Sequence, residues 1–345
     1  MERVSVSYAF ASDNAAPAHP VAMQALDRAN DGAAAAYGAD PISAHAADVL
    51  RATFGCPDAE VLFPFTGTGA NIIALASAVQ PWHEILCSDI AHVLVDEAGG
   101  PVRLSGAQLT RLPSTDGLID PDHLDRRAVR RGPVHHSQPR IVSITQSTEN
   151  GRVWSPAAIA AFVDRAHELD LLVHVDGSRI ANAVAALDVP AAEVIGDADV
   201  VTIGGTKNGM LFGDAILVRH PEHFAGIRFT QKQIGHLASK QRYIAAQFAA
   251  FFADHTWVRN AAHANAMAAR LALGLERLYL RVTAPVEANE VFVELPDDLH
   301  RRFGAHYAVH RPDPHTPVVR FVCAWSTTER EVDDVLDLLG EIVRH

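Results

Sequence analysis

ADVVTIGGTKNG, Ala198 to Gly209, sets an apolar, β-branched run directly before a lysine framed by glycines. The run reads as a strand and the glycines as a turn, so Lys207 stands just past a strand's C-terminal end. A lysine in such a turn is ordinarily a solvated charge, and its surroundings must supply any further meaning. Along the chain, strand-like runs alternate with helical patterns. Val61–Phe65, Ile85–Cys87, Arg140–Thr145, Leu171–Val175, Val200–Ile203 and Ala215–Val218 read as strands, with amphipathic segments such as Ala70–Ala78 and Ala157–Leu169 between several of them. Ser155 and Pro156 mark the start of the latter helix, a capping hydroxyl followed by a first-turn proline. Strands with little polar alternation, separated by helices, predict an α/β large domain with a mostly parallel sheet covered by helices. It is expected over residues 17–252, after an N-terminal arm at 1–16. Helical Gln241–Phe252 and His263–Leu278 lead into Val291–Leu295, Val318–Cys323 and a final helix from Thr328, which predicts a small C-terminal α+β domain at 253–345. Gly106–Gly117 and the stretch around Gly132 read as surface connections.

Composition narrows the function. The 345 residues are 48% hydrophobic and 20% charged, enough for one large core and a smaller one. A net charge of −12 with no lysine or arginine run argues against a nucleic-acid or anionic-membrane surface. Cys56, Cys87 and Cys323 are far apart and form no C-x-x-C pair, which disfavours a disulfide framework or zinc site and fits a reducing compartment. The histidines include no H-E-x-x-H, and His135-His136 lies in a Gly/Pro-flanked polar loop, so no metal is expected. The N-terminal stretch lacks the apolar core of a signal peptide, and no uncharged apolar run reaches membrane-spanning length. These features predict a soluble cytoplasmic protein acting on a small molecule.

Four positions converge on one chemistry. TGTGAN, Thr66 to Asn71, joins a strand to a helix and offers backbone amides and a helix N-terminus to an anion. Ile72 stands where a dinucleotide fingerprint needs its third glycine, so a single phosphate ester suits the loop better than a pyrophosphate. An ordinary strand-to-helix turn would look similar. In LLVHVDGSRI, Asp176 ends an apolar strand, at the sheet edge where open α/β folds bind ligands. Pairing with Arg179 alone would make that aspartate structural. Lys207 follows another strand end. His92, in SDIAHVLVDEAGG, follows a third; a lone histidine there is otherwise a packing residue. An amine, a carboxylate, a phosphate cradle and a flat imidazole are what pyridoxal 5'-phosphate requires. Its aldehyde forms a Schiff base with lysine, an aspartate keeps its pyridine nitrogen protonated, and the ring then acts as an electron sink.

The motifs FASDN (Phe10–Asn14), AYGAD (Ala36–Asp40), TGTGAN, AHVLVDEAGG (Ala91–Gly100), ITQSTENG (Ile144–Gly151), HVDGSRI, GGTKNG, KQIGHLASK (Lys232–Lys240) and VVRFVCAW (Val318–Trp325) occur in one order. In these the chain resembles the low-specificity L-threonine aldolases, of the fold type I pyridoxal-phosphate enzymes, and particularly the bacterial branch that includes phenylserine aldolases. The resemblance implies a fold type I transferase-like architecture. It implies Lys207 as the Schiff-base lysine, Asp176 as the pyridinium partner, His92 stacked on the ring, and Gly67 and Thr68 on the phosphate. Arg179, Arg320 and Ser12 would grip the substrate carboxylate, with Arg179 also near the cofactor. Tyr37, toward the substrate, and Lys232 or Lys240, toward the cofactor, would approach a neighbouring subunit's site, in a homodimer or homotetramer with sites at the interface. Glu149 departs from the family pattern, in which many members carry a histidine contacting the substrate hydroxyl, and Gln146 stands where many carry glutamate. Glu149, His92 or a water held by either is the base that takes the hydroxyl proton.

The implied reaction is retro-aldol cleavage of a β-hydroxy-α-amino acid to glycine and an aldehyde. Phenylserine cleavage, another pyridoxal-phosphate lyase or aminotransferase, a non-catalytic binding homologue, and a nucleotide-dependent oxidoreductase reading TGTGAN are the rival readings; the last lacks the downstream acidic partner. Lys207→Ala is expected to abolish both cofactor colour and nearly all turnover, with wild-type-like cleavage as the contrary result.

Overall fold

The computed structural model describes residues 6–344, so Met1–Ser5 of the expected N-terminal arm and His345 lie outside the described residues. The main sheet uses β1 (Glu60–Leu62), β2 (His83–Ser88), β3 (Gln108–Leu112), β4 (Gln138–Thr145), β5 (Leu172–Gly177), β6 (Val200–Gly204) and β7 (Asp214–Val218). Its strand order is β1-β7-β6-β5-β4-β2-β3. The pairings from β3 through β2, β4 and β5 to β6 are parallel, while β7 and β1 close one side antiparallel. Helices α1 (Gly67–Ala78), α2 (Pro156–Glu168) and α3 (Ile180–Leu187) cover the sheet, and α4 (Ile227–Gln233), α5 (Arg242–Ala253) and α6 (Thr256–Arg277) follow. A two-stranded antiparallel sheet, β8 (Glu290–Glu294) with β9 (Val318–Val322), packs with the last helix, α7 (Glu329–Arg344). Among the described residues no helix is long and apolar enough to cross a membrane.

Strand alternation explains how both faces are covered. Leu86, Val142, Val173, Val175, Val201 and Leu217 pack with Phe162 of α2 on one face. Ile85, Cys87, Ile141, Leu172, Val200 and Ile216 pack with Ile73 and Leu75 of α1 on the other. Helix α1 is apolar nearly all round because it is buried nearly all round. Thr66 caps it, its Oγ1 accepting from the Gly69 amide at 3.1 Å. Ser155 caps α2 as its sequence predicts, accepting from the Ala158 amide.

One expectation fails. The segment Gly106–Gly117 is not simply a surface connection: it contains β3, which extends the sheet in parallel register with β2. An edge strand buries only part of its surface, so QLTRL keeps polar positions and lacks the apolar run of the central strands. The first strand is also shorter than Val61–Phe65, ending at Leu62 where the chain turns toward Thr66.

The N-terminal arm crosses the C-terminal layer before it reaches the large sheet. Ser7 bridges Tyr307, and the Phe10 carbonyl accepts from the Val322 amide at 3.0 Å. The Phe10 ring, fully buried, meets Phe321 edge-on with centroids 6.2 Å apart. It belongs to the cluster formed by Leu271 and Leu275 of α6, Val291, Phe321 and Leu339 of α7. Helix α6 also sends Trp257 and Ala261 into the main core, so one helix is shared between the two cores. Phe10→Ala is expected to cost about 3–5 kcal/mol of stability in urea unfolding, the usual range for emptying a buried aromatic site. Phe10→Leu should restore most of it.

Candidate active site

On the face of the sheet that meets α1, each central strand turns from apolar to polar toward its C-terminal end. Ile141 is followed by Ser143 and Thr145, Leu172 by His174 and Asp176, and Val200 by Thr202 and Gly204. Thr145, Asp176 and Thr202 are register partners across three strands. Polar groups buried together need donors and acceptors from one another. Ser143 Oγ and His174 Nδ1 lie 2.8 Å apart, and burial pushes the His174 pKa down to about 4. Asp176 accepts from the Ser178 amide (3.0 Å) and hydroxyl (2.7 Å) at Oδ1, and from Asn71 Nδ2 (2.8 Å) at Oδ2. Burial alone would raise the Asp176 pKa; the His174 ring and the Ser178 donors outweigh it and hold the carboxyl below its ordinary range. Since His174 is neutral near pH 7, the hydrogen bonds keep Asp176 ionised there.

Asn71 does more than serve Asp176. The same Nδ2 donates to Glu97 Oε1 at 2.8 Å, and Thr202 Oγ1 donates to Asn71 Oδ1 at 3.0 Å, which fixes the amide's orientation. Glu97 Oε1 lies 2.9 Å from His92 Nδ1. That contact holds the imidazole pKa above its ordinary value against the opposing effect of burial. The His92 backbone amide donates to Glu149 Oε1 at 2.8 Å, and Thr145 Oγ1 donates to the same oxygen at 2.7 Å. Glu149 Oε2 is buried with no partner, and burial pushes this carboxyl up to about 7. A solvated loop charge would show neither property. Gln146, by contrast, is fully used in holding the Trp154 backbone.

A cavity of about 290 Å³ opens above this network, lined among others by Thr66, Gly67, Thr68, Ser178, Lys207 and Asp214. Lys207 sits on a single 3-10 turn, Thr206–Asn208, past the end of β6. Asn260 Nδ2 donates to the Asn208 carbonyl at 2.9 Å and the His19 amide to the Gly209 carbonyl at 2.7 Å, so the turn is pinned. Burial first, and Arg179 second, hold the Lys207 pKa below its ordinary value. At the start of α1 a Cβ on Gly67 would stand 2.8 Å from Asp214 Oδ2, and one on Gly69 2.0 Å from His236 Cε1. Glycine therefore keeps the helix N-terminus open to close approach. A desolvated amine and an open amide cradle line the cavity, and the ionised Asp176, behind the lining, is bonded to the lining residue Ser178; together they fit pyridoxal phosphate.

Arg179 does not pair with Asp176. Its Nε and Nη2 donate to Asp13 at 2.8 and 3.1 Å, and its Nη1 lies 3.4 Å from Glu290 Oε2. Asn289 Nδ2 also donates to Asp13, at 3.1 Å. Arg320 Nη1 contacts the other oxygen of Glu290 at 3.3 Å, while Arg320 Nε is buried without a partner. Ser12, one residue before Asp13, caps the short turn Asp13–Ala15. Tyr37, Lys232 and Lys240 are exposed and do not line this cavity; Lys232 Nζ lies 4.9 Å from the centre of the Tyr37 ring.

The geometry can be set beside known proteins. The beta-eliminating lyase family matches residues 9–298. The chain belongs to that family. It is 38% identical over 341 residues to a low specificity L-threonine aldolase of Pseudomonas sp. (strain NCIMB 10558), covering 95% of this chain and 96% of the relative. It is equally 38% identical to the low specificity L-threonine aldolase of Pseudomonas aeruginosa, with 96% of each chain covered. The solved threonine aldolase of Leishmania major superposes with a TM-score of 0.92 at 27% identity, covering 98% of this chain and all of that one. Aspartate aminotransferase from Thermus thermophilus, at 15% identity and a TM-score of 0.71, shares the fold.

Several residues of this family member's site escaped the sequence reading: Asn71, Glu97, Asp13, Glu290, Asp214 and His236. Asn71 left a detectable signal, as the one amide in an otherwise apolar helix. Asn71→Ala is expected to lower stability by about 1–3 kcal/mol, because two buried carboxylate oxygens lose a donor. Paired urea titrations measure the difference, and coincident midpoints would contradict it.

Proposed function

We propose that this chain is a pyridoxal-phosphate-dependent aldehyde-lyase that cleaves L-threonine, L-allo-threonine and related β-hydroxy-α-amino acids to glycine and an aldehyde. The observation that carries the reading is Glu149, whose Oε2 is shut from water with no partner and whose carboxyl titrates near pH 7. A general base works best with a pKa close to the working pH and a free lone pair for the substrate proton.

When bound, the cofactor supplies an electron sink for the pair left on Cα as the Cα–Cβ bond breaks. The chain's own residues do the rest. Lys207, poorly solvated and so readily neutral, would hold the aldehyde carbon through its amine. Asp176, kept ionised by its donors, would keep a proton on the pyridine nitrogen. Gly67 and Thr68 would present amides to the phosphate, and His92, oriented by Glu97, would cover the ring. Arg320 has an unpartnered Nε and so grips the substrate carboxylate, with the Ser12 hydroxyl beside it. Arg179, already tied to Asp13 and Glu290, contributes its charge to the same end of the site. Holding the carboxylate decides which Cα bond stands across the ring plane. Glu149 takes the β-hydroxyl proton, and the aldehyde leaves.

Tyr37, with Lys232 against its ring, and Phe229 on the same helix as Lys232 are exposed, which supports a second copy seated there, in a homodimer or homotetramer. The three free, buried cysteines support a reducing, cytoplasmic location. The test is a coupled assay for acetaldehyde and glycine from L-threonine. Glu149→Gln should lower kcat by roughly 10²–10⁴-fold while leaving cofactor binding intact. In the wild type, kcat should rise with pH through about 7 as Glu149 loses its proton, and that acidic limb should vanish in Glu149→Gln. No aldehyde from any β-hydroxy amino acid would overturn the reading.

A further inference from the structure

Asp214 opens β7 and turns its carboxylate into the cavity, only 6% of the residue remaining exposed. Oδ1 accepts from the Gly205 amide at 3.2 Å, and Oδ2 lies over the start of α1, 2.8 Å from where a Cβ on Gly67 would stand. The cofactor reading puts a phosphate ester in this corner, and the inference rests on that reading. The groups facing Asp214 are few. Helix α1 contributes the Thr66 hydroxyl and the Gly67 and Thr68 amides; the turn after β5 contributes Ser178, whose hydroxyl is committed to Asp176. The turn after β6 contributes Thr206 and Lys207, Asp176 acts from β5, and His236 stands over Gly69. Within one copy, Lys207 is the one lysine or arginine among the lining residues, and in the loaded site its amine is engaged with the aldehyde. The Lys232 or Lys240 that a second copy would bring to the cofactor is present in both proteins compared below and cancels. An ionised carboxylate and a phosphate dianion cannot share so small a space without strong repulsion.

We propose that Asp214 and the cofactor's phosphate share one proton, the carboxyl group donating a hydrogen bond to a phosphate oxygen. Asp214 is then a cofactor-binding residue that makes phosphate recognition depend on pH. Before any anion arrives, burial pushes its carboxyl up to about 6, and the phosphate raises it further. Above that pH the free site is ionised and the loaded site protonated, so binding takes up a proton. Linkage then weakens affinity by up to about tenfold per pH unit. A cradle of amides and a helix N-terminus alone behaves in the opposite sense. A phosphate ester gains its second charge near pH 6, and such a cradle holds the dianion better. His236, whose pKa burial keeps below its ordinary value, is present in both proteins compared below and cancels.

The experiment measures dissociation constants of pyridoxal phosphate and of pyridoxal, which lacks the phosphate, by visible absorbance on the full chain freed of cofactor. Their ratio isolates the phosphate's contribution from the titration of Lys207. In the wild type the phosphate's advantage should fall about tenfold or more from roughly pH 6.5 to 8.5. In Asp214→Asn it should stay level or rise. A level or rising wild-type ratio, or an equal fall in Asp214→Asn, overturns the proposal. Should that variant not fold, calorimetry of His236→Asn, which removes the other titratable group over the cradle, in buffers of different ionisation enthalpy decides alone. Near pH 7.5, pyridoxal phosphate should take up close to one proton more than pyridoxal, and no difference overturns the proposal. Failure of both ligands to bind would remove the cofactor reading and this inference with it, whereas two bound ligands with a level ratio remove only this inference.

Discussion

A carboxylate shut away from water at a strand end has to receive donors from whatever packs on it, and for Asp176 that requirement organises the molecule. One donor set is local, the Ser178 amide and hydroxyl in the turn that leaves β5. The other comes from Asn71 on a helix about a hundred residues away in sequence, oriented by Thr202 from the adjacent strand. Helix α1 can deliver an amide to that depth only because the rest of its surface is apolar and buried. Its N-terminus is thereby placed over the same strand ends. The open amides of that N-terminus and the Asp176 carboxylate are set by one packing event.

The charges at the two ends of the site are managed differently. At one end, Asn71 serves two carboxylates, Asp176 and Glu97, and the second is paired with the His92 ring. At the other, Asp13 and Glu290 surround Arg179 so fully that it has the character of a fixed structural cation. Arg320 retains an unpartnered donor. Two arginines that look equivalent in sequence thus differ in the donors they have left free.

Much of the fold was legible because the central strands are buried on both faces and read as uninterrupted apolar runs. Lys207, Asp176, Gly67 and Thr68 were legible for a related reason, since each interrupts such a pattern at a strand or helix end. β3 was not, because an edge strand such as QLTRL has no reason to be continuously apolar. Asp13, Glu97, Asp214 and Glu290 were invisible for a deeper cause. Each is an ordinary acidic residue whose meaning lies in a partner from another part of the chain. Glu149 was noticed only because the family resemblance made it an exception, and its shielding from water depends on the His92 turn and Thr145.

The N-terminal arm is a second tie, beside helix α6, between the two cores. Phe10 is embedded in the C-terminal core, and three residues later Asp13 holds Arg179, with Asn289 bonding both Asp13 and the Cys323 carbonyl. A shift of the C-terminal layer therefore acts on both arginines, on Arg320 directly and on Arg179 through three residues of backbone. Protein engineers who fuse partners ahead of Phe10, or who relieve packing around Phe321 for expression, would be moving these two cations from outside the cavity.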